Sequence, residues 1–160
     1  MSINLVYAKE EIISSSKSIF LAGPSPRNNI DKSWRKEAIR IFKKNNFDGT
    51  IFIPEYRINN QELFDYIDQI EWEEEALNAA DIILFWVPRD LEKFPGFTTN
   101  VEWGYWIAKE PSKLLLGSPD NTPKMAYLNY YADKLEIPKF NDLNDIIKYA
   151  IGDKQWMLIE

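Results

Sequence analysis

Ile82-Ile83-Leu84-Phe85-Trp86-Val87 is followed, after a loop carrying proline and glycine, by Gly96-Phe97-Thr98-Thr99-Asn100-Val101-Glu102-Trp103-Gly104-Tyr105-Trp106. Six consecutive apolar residues read as a strand covered on both faces, which is the parallel-sheet signature. The second stretch reads as polar donors leading into an aromatic helix that holds one carboxylate. In an open α/β sheet, the loop leaving a strand's carboxyl end and the first turn of the next helix are where ligands bind. Glu102 is placed there.

Working outward, apolar runs alternate with helical patterns, the mark of βα units. Ser18 to Ala22 reads as the first strand, stopped by Gly23-Pro24-Ser25-Pro26. Trp34, Ala38, Ile41, Phe42 and Asn45 then recur at helical spacing from about Ser33. Thr50 to Ile53 reads as the second strand. Gln61 to Ala80 reads as a long helix with Leu63, Tyr66, Ile67, Ile70, Leu77 and Ala80 on its apolar face. After the third strand comes a helix from about Thr99 to Lys109, then a fourth strand over Lys113 to Gly117. Pro123 to Tyr131 fits no single pattern. Leu135 to Pro138 reads as a short fifth strand, and Leu143, Ile146, Ile147 and Ala150 mark a terminal helix. The expected fold is one α/β domain over residues 1–160: a three-layer, doubly wound, five-stranded parallel sheet.

Composition narrows the chemistry. The chain of 160 residues has no histidine and no cysteine. That excludes an imidazole base, a Ser-His-Asp triad, a thiol nucleophile and His- or thiolate-bound metal. Carboxylates, Tyr, Lys, Ser/Thr and backbone donors remain, and neither metal nor cofactor is expected. A net charge of −6 offers no basic stripe for a nucleic-acid polymer. No apolar run is long enough to span a membrane, so a soluble cytoplasmic protein is expected. Nine Phe, eight Tyr and six Trp exceed what a small core needs, and point to a stacking pocket, a subunit interface or both.

Each candidate site residue has a structural reading beside the functional one. Thr99-Asn100-Val101-Glu102 fits a capping box, in which Thr99 caps the helix and Glu102 reaches back to it. In that reading the Glu102 side chain contributes roughly 1 kcal/mol of helix stability. The same helix end would hold the acid ionised, as a nucleophile requires. Trp103, Tyr105 and Trp106 would wall a site with flat apolar surface, and Gly104 would let the helix approach the sheet. In the acidic run Glu71, Glu73, Glu74, Glu75, helix geometry sets Glu74 within the apolar face and Glu73 at its edge. One of them is a candidate second carboxylate, as in glycosyl chemistry. The Gly23–Asn29 loop lacks phosphate-loop spacing, but Ser25 and Arg27 could hold a hydroxyl or one phosphate. Pro54-Glu55-Tyr56-Arg57 reads equally well as a surface turn.

Taken in order, Phe20-Leu21-Ala22-Gly23, Trp72-Glu73, Ala80-Asp81-Ile82-Ile83, Asn100-Val101-Glu102-Trp103-Gly104 and Leu114-Leu115-Leu116-Gly117 resemble the nucleoside 2-deoxyribosyltransferase family over about residues 17–120. The resemblance implies a flavodoxin-like sheet, a glutamate nucleophile at Glu102 and an assisting acid at Glu73. It also implies a first substrate loop at Ala22-Gly23 and homo-oligomers whose sites borrow residues from a neighbour. Thr99 and Asn100 would contact base or sugar, with Ser25 and Arg27 near the 5′ end. Deoxynucleosides or deoxynucleotides and free nucleobases are the implied small-molecule partners. This chain has Gly96-Phe97-Thr98-Thr99-Asn100 where the best-known members carry a base-contacting aspartate. Its Gln155–Glu160 tail also differs from their aromatic and carboxylate ending. Deoxyribosyl transfer is the expected reaction; a deoxynucleoside 5′-monophosphate N-glycosidase and a non-catalytic nucleotide sensor are the alternatives.

Overall fold

The computed structural model describes residues 2–13, 17–27, 30–57 and 65–152. Six strands form one parallel sheet: β1 (Asn4–Tyr7), β2 (Ser18–Ala22), β3 (Thr50–Ile53), β4 (Ile82–Trp86), β5 (Leu114–Gly117) and β6 (Lys139–Phe140). The helices are α1 (Arg35–Lys44), α2 (Tyr66–Ala79), α3 (Phe97–Lys109), α4 (Ala126–Lys134) and α5 (Leu143–Ile151). Spatial order is β1-β3-β2-β4-β5-β6. Setting β1 aside, this is the doubly wound order of flavodoxin-like sheets, with the switch point between β2 and β4.

Central strands are buried along their whole length, and alternate residues feed two separate cores. Phe20, Ala22, Ile83, Phe85, Leu114 and Leu116 pack under α2, α3 and α4. Ile19, Leu21, Ile82, Leu84, Trp86 and Leu115 pack under α1 and α5. The three-layer α/β expectation holds, with six strands in place of five. β1 escaped sequence reading because it is a short edge strand with only Val6 fully buried. The last strand lies at Lys139–Phe140, not Leu135–Pro138. Leu135 closes α4, and pairing begins only at the Pro138 carbonyl, which accepts from Leu116 N at 3.0 Å.

Two further corrections bear on function. The buried stripe of α2 is Trp72, Ala76 and Leu77, while Tyr66, Ile67 and Ile70 are exposed. At 100° per residue the Trp72–Leu77 stripe takes in Gln69 and Glu73 and leaves Glu74 outside. Glu73 is accordingly half-buried and Glu74 exposed. The predicted start of this helix, with Leu63, lies outside the described residues, as does the Gln155–Glu160 tail. Helix α3 begins two residues before Thr99, with Gly96 as its cap at φ +68°. No side chain caps it, so the capping box is not formed. Glu102 sits in the second turn, beyond the reach of the helix end.

Candidate active site

Gly23 is where the site begins. A Cβ on it would lie 2.0 Å from the Trp86 carbonyl oxygen, so only glycine lets the exit of β2 pass that of β4. Ser18 locks the other end of these strands: its N and Oγ both donate to Asp81 Oδ2 at 2.8 Å. The strands therefore end in register at the switch point, and the loops diverging from them leave a cleft of about 260 Å³.

The cleft is lined by Gly23, Ser25 and Arg27 after β2, Arg35 from α1, Gln69 and Glu73 from α2, and Gly96, Thr98 and Glu102 from the start of α3. The structure thus brings together Gly23, Ser25, Arg27, Glu73 and Glu102. It does not bring in the other three candidates. Thr99 is buried beneath α3. Asn100 points away, its Oδ1 accepting from Arg89 Nη2. Trp103 is a core residue packed edge-on against Phe85, with ring centroids 5.1 Å apart. With Thr99, Trp103 and Trp106 facing the sheet, Glu102 falls at the edge of the buried stripe, toward α2. Gly104 has open space around it and permits no close approach to the sheet.

Glu73 and Glu102 meet carboxyl to carboxyl. Glu102 in its protonated form donates to Glu73. Gln69 Nε2 donates to Glu73 Oε1 at 2.9 Å, and the Tyr56 hydroxyl donates to Gln69 Oε1 at 3.1 Å, fixing the amide's orientation. Burial, then the neighbouring Glu73 charge, push Glu102 up to about 8. Burial also raises Glu73, while the bonds from Gln69 and Glu102 favour its ionised form. We therefore assign the pair's last proton to Glu102, held to about pH 8. The helix end does not keep this acid ionised; its neighbour does the opposite.

Behind the acids stands a residue that sequence reading passed over. Arg35 is only 1% exposed. Its Nε donates to Leu21 O (3.0 Å), Nη2 to Gly23 O (2.7 Å), and Nη1 to Ser25 Oγ (2.9 Å) and Glu55 Oε1 (2.8 Å). Its place on the apolar stripe of α1, between Trp34 and Ala38, was the available signal. On the far side of the acids, Ile70, Leu77, Val101, Tyr105 and Trp106 line an apolar groove of about 220 Å³ that also reaches Glu73 and Glu102. Tyr105 and Trp106 thus border a neighbouring groove, not the main cleft. Among the described residues no group of three or more His, Cys, Asp or Glu side chains is arranged to hold a metal ion.

A doubly wound sheet with two adjoining carboxylates at its switch point defines an α/β protein whose acid-lined cleft lies where such sheets bind ligands. Residues 16–120, more than half of the chain, match the family model described as nucleoside 2-deoxyribosyltransferase like, and the chain belongs to that family. None of the curated proteins compared with the chain matches it. The family points to glycosyl-transfer chemistry on small nucleoside and nucleobase substrates.

Proposed function

We propose that this protein cleaves the N-glycosidic bond of 2′-deoxynucleosides and transfers the sugar to a second base, with Glu102 as nucleophile and Glu73 as the acid and base. The observation that carries this reading is the hydrogen-bonded Glu73–Glu102 pair inside the cleft. One proton on the pair suffices. When it moves from Glu102 to Glu73, a Glu102 carboxylate oxygen is free to attack the anomeric carbon. The C1′–N bond breaks as the Glu102–C1′ ester forms, and the Glu73 proton goes to the departing nitrogen. An incoming base reverses the sequence: its nitrogen bonds to C1′, its proton returns to Glu73, and the Glu102 ester opens. Lacking a 2′-hydroxyl, the substrate reaches the oxocarbenium-like transition state without metal assistance.

Ser25 and Arg27 are the proposed contacts for the 5′ end, because both line the same cleft as the acids. Thr98, at the mouth, takes the substrate-facing place that Thr99 and Asn100 do not occupy. Self-association is proposed through α2 and α3, where Ile67, Ile70, Val101 and Tyr105 leave apolar surface exposed beside the site.

Incubation with deoxyinosine or thymidine plus free adenine, followed by chromatography of the bases, tests the reaction. A new deoxynucleoside is the expected product. Free base without exchange would make the protein a hydrolase. Nucleotide binding with no turnover on any deoxynucleoside or its 5′-monophosphate would make it a sensor.

A further inference from the structure

Arg35 is a cation removed from water, and two of its partners, Gly23 and Ser25, line the cleft. A buried guanidinium is tolerated only when its donors are matched, and here four acceptors match it. Three of the four, Leu21 O, Gly23 O and Ser25 Oγ, belong to the end of β2 and the loop that follows. The planar fork therefore dictates the path of that loop. The fourth is Glu55, which forms an ion pair with Arg35 at 2.8 Å and also accepts from Ser33 Oγ. Glu55 is the fixed counter-charge, standing where β3 ends.

We propose that Arg35 and Glu55 are positioning residues of the site: the Arg35 fork shapes the Gly23–Ser25 loop, and the balance of the two charges sets how many protons the Glu73–Glu102 pair carries. The inference rests on the glycosyl-transfer reading for its kinetic consequences, and on geometry alone for its electrostatic ones. Arg35 faces the same cleft as both acids, and its charge draws both toward ionisation. The other charged or titratable groups around the pair are Arg27 at the exposed mouth, Tyr56 behind Gln69, Tyr66 and Glu74 on α2, and Tyr105 on α3. Arg27, Tyr66, Glu74 and Tyr105 are exposed and screened by solvent. Tyr56 stays neutral over the range concerned, since burial and the Glu73 charge raise it. Buried Arg35, with half-buried Glu55 as its counter-charge, is therefore the dominant fixed charge near the acids.

Shape and charge separate in two substitutions. Arg35→Lys keeps the charge and loses the fork. Glu55→Gln keeps an oxygen for Arg35 and Ser33 and loses the counter-charge. Carboxyl 13C shifts of labelled glutamate give the pair's titration directly in the full-length protein, and pH profiles of kcat/KM give it through turnover. Glu55→Gln unmasks Arg35, so the pair's last proton leaves about one pH unit lower than in wild type, with KM little changed. Arg35→Lys raises KM by roughly tenfold and leaves the titration in place. A Glu55→Gln titration that stays put or moves upward overturns the charge assignment. An Arg35→Lys protein with wild-type KM overturns the shape assignment. A purely structural role predicts losses at every pH with no displaced midpoint. If no deoxynucleoside turns over, the glycosyl-transfer reading fails, and the carboxyl titration still decides the charge assignment. In that case Arg35→Lys is read by the weakened affinity for a deoxynucleoside.

Discussion

Glu73 on α2 and Glu102 on α3 share one hydrogen bond across the cleft, although 28 residues separate them and neither helix end touches the pair. Like charges this close cannot both ionise in a half-buried site, so one proton stays with them over the neutral range. The proposed chemistry uses that proton twice.

The pair's titration predicts a bell-shaped kcat/KM. Activity falls at low pH, where both acids are protonated and no nucleophile remains. It falls again above about pH 8, where the last proton leaves and the departing base goes unprotonated. A profile rising monotonically through pH 9 would mean that Glu73 donates no proton.

Glu102→Gln should abolish transfer yet stabilise the protein at alkaline pH. The folded protein holds the Glu102 proton to about pH 8, whereas an ordinary glutamate loses it near 4.5. Folded-state affinity for the proton is raised, so this group's contribution to stability is harmless below the lower value and turns unfavourable as pH rises between the two. Replacing the acid by an amide removes that penalty, on the order of 4 kcal/mol at pH 8 and close to nothing at pH 4. Urea unfolding at both values checks it. A capping role predicts the reverse, a loss at pH 8.

Gln69→Leu removes the amide that favours ionised Glu73. The acid limb of the pH profile should move upward, narrowing the bell, with kcat at its optimum reduced by about tenfold. An unmoved limb would show that the Tyr56–Gln69 chain does not act on Glu73.

Much of the sheet was legible because β2, β4 and β5 are buried on both faces, which leaves unbroken apolar runs in the sequence. β1 was not, since one buried valine gives no pattern. The acids were legible in part. Glu102 stood out as the lone carboxylate in an aromatic helix. Its environment did not, because the left-handed Gly96 starts α3 early and turns an apparent capping pair into a buried threonine and a cleft acid. For α2, a stripe centred on the exposed Ile67 and Ile70 put Glu74 ahead of Glu73, and only packing against the sheet corrects the phase. Arg35 and Glu55 lie 20 residues apart, and nothing local joins them before the strands align.

Gly23→Ala tests the geometry of the switch point without touching a charged group. Its Cβ would overlap the Trp86 carbonyl, so β2 and β4 must separate at their carboxyl ends. Thermal unfolding should show a loss of about 2–4 kcal/mol. Wild-type stability would mean that the two strand exits are not as close as described.

The most direct measurement is intact-protein mass spectrometry after rapid acid quench of the protein with a deoxynucleoside and no acceptor base. A species heavier by one deoxyribosyl group is expected, mapping to the α3 peptide at Glu102, lost on adding adenine and absent from Glu102→Gln. Turnover in wild type with no covalent species under single-turnover conditions, or an adduct that persists in Glu102→Gln, contradicts it.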